Sequence, residues 1–219
     1  MKKYLNILGK CPLFFGIGQD ELLRMLVCLG AKAEFYDKKY TVFAEGSRAK
    51  YIGIVLSGSV QITQVDFYGN RSILSVIGAG QVFAEAFACA EVEEMPVSVV
   101  ANEPSEIMII ECAHVLHTCE NRCAFHRQLI FNLMKDLATK TITFHKKIDI
   151  TSKRTTREKL MAYLMHEAKS AGGNSFDIPF DRQELADYLE VERSGLSAEI
   201  SKLQKEGVLE SRKKHFTLL

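Results

Sequence analysis

Two groups of residues in this 219-residue chain have types and spacings that can do chemistry. The first lies in the last forty residues. Arg182-Gln183 opens one short helical segment and Arg193-Ser194 opens the next, where Ser197, Ala198, Ser201, Lys202 and Lys205 follow. An arginine at the head of a helix can bond both acceptors of a guanine edge, and small neighbours can meet adjacent bases. Lys202, Lys205, Arg212, Lys213 and Lys214 supply positive charge suited to phosphates, an attraction that weakens with salt. The second group is Cys112, His114, His117, Cys119, Cys123 and His126, all within fifteen residues. Cys119 and Cys123 are one helical turn apart, which suits a soft metal or a redox pair, although no CxxC occurs. Structural thiols and surface histidines fit the grouping better, so no metal is assigned. Cys112, Cys119, Cys123 and His126 stand as candidates only.

These residues need elements to position them. Apolar residues make up 47% of the chain and charged residues 25%, which excludes disorder and a disulfide scaffold. No apolar run approaches the roughly 20 residues that cross a bilayer. Lys10 interrupts the basic start before an export signal develops, so a cytoplasmic protein with reduced thiols is expected. Residues 1–118 carry a net −3 and residues 119–219 a net +4, so the mildly basic part is the C-terminal one. From Asp37 to Glu111, short β-rich runs alternate with turn signals such as Glu45-Gly46, Ser57-Gly58 and Tyr68-Gly69-Asn70, the pattern of an antiparallel barrel or sandwich. Gln19–Leu26 reads as a helix leading into it.

From Asn121 to Ile150 the apolar residues Ile130, Leu133, Leu137, Phe144 and Ile148 fall near three-four spacing, with no Pro or Gly after Cys123. A helix of some 30 residues usually hides such a stripe against a partner, so these five residues are expected to pair two copies of the chain, the alternative being that the stripe packs on the chain's own β-domain. After Thr151 comes a small α-rich unit: a helix from Arg157 to Ala168, a second introduced by the capping pair Asp181 and Glu184, and a third from Arg193 to Lys205. A closing hairpin runs from Val208 to Leu219. Leu196, Ile200 and Leu203 share one face of the third helix and can anchor it. Together these make a winged helix-turn-helix, although Glu190 and Glu192 replace the glycine frequent in its turn. No phosphate-cradling glycine loop or nucleophile–base arrangement stands out, and an enzyme is not expected.

The chain resembles the Crp/Fnr superfamily of bacterial transcription regulators, those related to the cyclic-AMP receptor protein. The likeness runs from about Phe14 to Leu219 and rests on Phe43-Ala44-Glu45-Gly46, Ile54-Val55-Leu56-Ser57-Gly58-Ser59-Val60, Gly80-Gln81-Val82-Phe83-Ala84-Glu85, Pro96-Val97-Ser98-Val99-Val100-Ala101 and Arg182-Gln183-Glu184-Leu185-Ala186. It implies an α+β chain with an N-terminal antiparallel β-roll over 1–118, a dimerisation helix over 119–150 and a C-terminal winged helix over 151–219. It also implies double-stranded DNA, a second copy of the chain and RNA polymerase as partners, and no membrane. Arg182-Gln183 matches the family's phosphate contacts. Arg193 matches its first base-reading arginine, while Ser194 and Ala198 stand where a glutamate and a second arginine are common.

Glu85 matches the carboxylate that holds the ribose in the family's cyclic-nucleotide pocket. Ala84 replaces the glycine there, and Pro96-Val97 falls where the phosphate-binding Arg-Ser pair is expected. No Lys, Arg or His occurs between Gln81 and Ala101. A buried phosphate would lack its counter-charge, which argues against cyclic AMP and leaves the effector unidentified. Glu85, Val97, Ser98, Thr139 and Thr143 are the expected effector contacts. Two alternatives stay open: a cyclic-nucleotide-binding regulatory module, or a thiol- or metal-sensing regulator using Cys112, Cys119 and Cys123.

Overall fold

The computed structural model describes residues 1–69, 71–116 and 125–219. Its elements in order are α1 (Leu5–Leu8), α2 (Gln19–Cys28), β1 (Lys32–Tyr36), β2 (Thr41–Phe43), β3 (Tyr51–Ser57), β4 (Ser59–Val65), β5 (Arg71–Gly78), β6 (Val82–Phe83), α3 (Glu85–Cys89), β7 (Ser98–Ala101), β8 (Ser105–Glu111), α4 (Cys112–Leu116), α5 (His126–Thr151), α6 (Thr156–Ala171), β9 (Ser175–Asp177), α7 (Arg182–Leu189), α8 (Arg193–Lys205), β10 (Leu209–Arg212) and β11 (His215–Leu218). The chain forms two compact units. One comprises Met1–Val65 and Leu74–Thr141, the other Asp66–Ile73 and Ile142–Leu219.

The first unit is built on two four-stranded sheets, ordered β1-β8-β3-β6 and β2-β7-β4-β5. Every pairing described in them is antiparallel. Between the sheets, Val55, Val60, Val97, Val99 and Ile107 bury their branched side chains, which suit a pleated surface. Gly53 has no Cβ because the ring of Phe83 lies where one would stand. On the other face of β3 and β8, Ile52, Ile54, Met108 and Ile110 meet the N-terminal helices through Leu8, Phe14, Leu22 and Leu26, and α5 through Leu129 and Leu133. The whole unit thus has two apolar layers, one inside the roll and one beneath the helices that cover it.

The second unit contains α6, α7 and α8 and a three-stranded sheet ordered β10-β11-β9. Thr155 and Glu158 cap α6 reciprocally, and Gly172 ends it in a left-handed conformation. Leu160, Leu164, Leu185, Leu196, Leu203 and Phe216 are fully buried. Two strands exceed the sequence expectation. β1 pairs with β8 although its residues are largely exposed, and β9 joins β11 with only three residues.

Candidate nucleic-acid interface and sensory site

Asp181 starts α7 with a reciprocal cap. Its Oδ1 accepts the Glu184 N–H at 2.8 Å, and Glu184 Oε2 accepts the Asp181 N–H at 2.7 Å. Leu185, Ala186 and Leu189 bury the inner side of the helix. The chain then reverses at Glu190, whose left-handed backbone (φ 55°) does what a glycine usually does at this position. α8 follows, with Leu196, Ile200 and Leu203 buried. Helical geometry turns its remaining residues outward: Arg193, Ser194, Ala198, Ser201, Lys202 and Lys205 are exposed, and Ser197 is half-buried. The Ser201 hydroxyl donates to the Ser197 carbonyl at 2.9 Å and stays on its own helix. Arg157 of α6 pairs with Glu206 at 2.7 Å and Glu199 at 3.6 Å, partly neutralising the acids beside these cations.

Arg182 is half-buried. Its Nη2 donates to Ser211 Oγ at 3.4 Å and its guanidinium lies 5.9 Å from the Phe216 ring centre, while Nη1 is buried without a partner. Burial, and then repulsion from Arg193, lower its proton affinity. Gln183 donates to Asp187 at 2.7 Å. At the hairpin tip Lys213 is exposed in a left-handed conformation. Lys214 is already engaged, donating to the Pro179 carbonyl at 2.7 Å and lying 4.0 Å from Glu184.

In the first unit Glu85 begins α3 directly after Ala84, whose φ of 62° keeps the left-handed turn without glycine. Glu85 is only 3% exposed. Its Oε1 accepts from Lys140 Nζ at 2.8 Å, and the same ammonium donates to the Val82 carbonyl at 2.6 Å and pairs with Asp136 at 2.9 Å. Glu85 Oε2 is buried with no partner. Sequence reasoning missed Lys140 and Asp136; their i,i+4 opposite charges on one helix were the available signal. Val97, an expected effector contact, directly precedes β7, is 2% exposed and packs in the core between the sheets. Ser98 Oγ accepts the Glu45 N–H at 3.1 Å. Thr139 is exposed and donates to the Lys135 carbonyl of its own helix, and Thr143 belongs to the second unit.

The cysteine grouping also changes. His126 is buried and its Nε2 lies 3.0 Å from the Val115 carbonyl. Cys112 Sγ lies 3.6 Å from Cys89 Sγ, a neighbour 23 residues earlier in the chain. Cys119 and Cys123 fall outside the described residues. On α5, Leu133 is 2% exposed and Leu137 packs partly against the same core, so these two cover the β-roll. Ile130 is half-buried. Phe144 and Ile148 are exposed, and so are Phe131, Met134 and Ile142, which the expected stripe omitted.

Residues 33–122 match the model of the cyclic nucleotide-binding domain, and residues 158–219 match that of the Crp-like helix-turn-helix domain. The cyclic AMP receptor protein of Thermus thermophilus is 25% identical over 201 residues, covering 90% of this chain and 88% of its own. Among solved structures, the c-di-GMP responsive global regulator CLP of Xanthomonas campestris superposes with a TM-score of 0.76 at 19% identity, over 92% of this chain and 99% of that one. FixK2 from Bradyrhizobium japonicum gives 0.67 at 19% identity, over 86% and 92%. The two matched domains follow one another along the chain and together span most of it, and the chain belongs to the Crp/Fnr family of transcriptional regulators.

Proposed function

We propose that the protein is a homodimeric, sequence-specific DNA-binding regulator whose β-roll responds to a small effector. One observation carries the reading: α8 buries Leu196, Ile200 and Leu203 and leaves Arg193, Ser194, Ala198 and Lys202 uncovered. In this reading Arg193 bonds a guanine bidentately, Ser194 and Ser197 meet neighbouring base edges loosely, and Ala198 offers a methyl to thymine. Arg182, half-buried at the head of α7, is assigned to a phosphate oxygen. Gln183, Lys202 and Lys213 add backbone contacts. Lys214 contributes mainly through its field, since its ammonium is engaged within the domain. Two copies joined along α5 would set two such helices about one DNA turn apart, roughly 34 Å. RNA polymerase is the further partner if the output is activation.

The effector differs from cyclic AMP in this reading. Lys140 is already shared between Glu85 and Asp136, and residues 81–101 hold no cation of their own. A buried cyclic phosphate would therefore meet carboxylates without compensation. The two relatives that respond to cyclic AMP and c-di-GMP by name show only that the fold accepts such ligands elsewhere.

The test is a gel-shift titration of the full chain on its own upstream DNA and on random duplex, with and without cyclic AMP. Arg193→Ala should cost the operator about 10- to 100-fold, equivalent to ~1–3 kcal/mol of base discrimination. Random-sequence binding should change by less than about threefold and keep its steep salt dependence. Equal loss on both duplexes would remove Arg193 from base reading, and cyclic AMP that tightens operator binding would overturn the effector assignment.

A further inference from the structure

We infer that Cys89 and Cys112 form a peroxide-sensitive thiol pair that closes into an intramolecular disulfide within the β-roll. The two sulfurs already touch at 3.6 Å. A disulfide requires about 2.05 Å, so a closing movement near 1.5 Å completes the bond. Cys89 ends α3 and Cys112 begins α4, and end residues of short helices can yield more readily than the middle of a strand. Their environments differ in a useful way. Cys112 is buried, whereas Cys89 is half-exposed and can meet an oxidant first.

Hydrogen bonding sharpens that asymmetry. With the Cys112 S–H directed to Cys89, the Cys89 thiol loses its proton more readily than an ordinary cysteine, against the opposing effects of burial and Glu85. The same bond, with burial, raises Cys112. The thiolate is the nucleophile, so the more accessible sulfur is also the more reactive. A cleft of about 230 Å³ lined by Arg48, Ala49, Lys50, Ala88 and Glu91 reaches the second sulfur, Cys112, and does not include Cys89, which meets the oxidant through its own partly exposed surface. By contrast, Cys11 is buried and pushed up to about 12, which makes it inert.

The chemistry balances with a hydroperoxide as oxidant. The Cys89 thiolate attacks one peroxide oxygen; the S–O bond forms, the O–O bond breaks, and hydroxide leaves to become water. Cys112 sulfur then attacks the Cys89 sulfenic acid, displacing its oxygen as a second water. Two thiols lose two electrons in all, and one peroxide is reduced.

The experiment uses the full chain, reduced and then exposed to hydrogen peroxide. The protein is alkylated under denaturing conditions and cut after glutamate, which places Cys89 on residues 86–91 and Cys112 with Cys119 on 112–120. Fragmentation should find 86–91 joined through Cys112, with a loss of two hydrogen masses. Free thiols should fall from the six present in the chain to four, and dithiothreitol should restore them. The product should run as a monomer on a non-reducing denaturing gel. Cys112→Ser should abolish the link and leave a Cys89 sulfenic acid that dimedone captures. A link through Cys119, oxidation of Cys28 while Cys89 and Cys112 still alkylate, or over-oxidation of Cys89 without a link would each overturn the assignment.

Discussion

Arg182 and Arg193 carry the same charge but differ in what holds them. Arg182 is gripped by Ser211 and Phe216 with one nitrogen left over, so its geometry is set before any ligand arrives. Arg193 is exposed at the first position of α8, where adaptability matters more than fixed placement. A third cation, Lys147, behaves differently again. It is 7% exposed, donates to the Ile73 carbonyl and lies 4.4 Å from the Tyr188 ring centre, all within the second unit. Burial pushes its pKa down to about 8, with Glu190 opposing. The unfolded lysine holds its proton to about 10.5, so between those values the unfolded chain binds more protons and stability rises with pH. Below about pH 8 the buried ammonium costs its full penalty. Urea unfolding at pH 7.5 and pH 10 should show the wild type gaining roughly 1–3 kcal/mol relative to Lys147→Met. Parallel pH dependence in both proteins would place Lys147 in solvent contact.

At the scale of elements, the chain signals its helix ends clearly. The Asp181–Glu184 box starts α7 where its spacing predicts, and Gly172 stops α6. The turn between α7 and α8 tolerates Glu190 at φ 55°, a conformation that costs a non-glycine residue about 1 kcal/mol or more. Glu190→Gly should therefore raise the unit's unfolding free energy by up to about 1 kcal/mol, less the entropy lost by glycine, read by urea denaturation. A destabilised variant would show that the side chain, through its field on Lys147, matters more than the backbone. Strands β1 and β9 were not legible. Four of five β1 residues are exposed, so no inside–outside alternation marks it, and β9 is too short to show a period. Each exists because a neighbouring strand offers unpaired backbone groups.

For the whole molecule, the question is which apolar residues of α5 remain for a second copy. The helix spans 26 residues, about 39 Å. Leu129 and Leu133 are spent on the β-roll core, while Phe131, Met134, Ile142 and Ile148 each keep more than half their surface in contact with solvent. A row of large uncovered apolar side chains on one helix suits a like helix. If the proposed dimer forms along α5, Met134→Glu with Ile142→Glu should leave a monomer in analytical ultracentrifugation and cut operator affinity at least tenfold, since two half-sites would no longer share one binding event. Leu133→Glu should instead unfold the β-roll, which separates the partner face from the core face of the same helix.

Local rules wrote much of this protein in readable form. Periodicity, capping pairs and turn residues act over three or four positions, so the β-rich half, the long helix, α7, α8 and the outward set of Arg193, Ser194, Ala198, Ser201 and Lys205 follow from neighbouring residues. Partnerships between distant residues were settled by sheet register and by how helices lie on sheets. Glu85 meets Lys140 across 55 residues and Cys89 meets Cys112 across 23, because folding brings the start of α3 against α5 and its end against α4. The same packing divided α5 into covered and uncovered sides. Its apolar residues are spaced alike on both, and only contact with the β-roll core makes one side differ from the other.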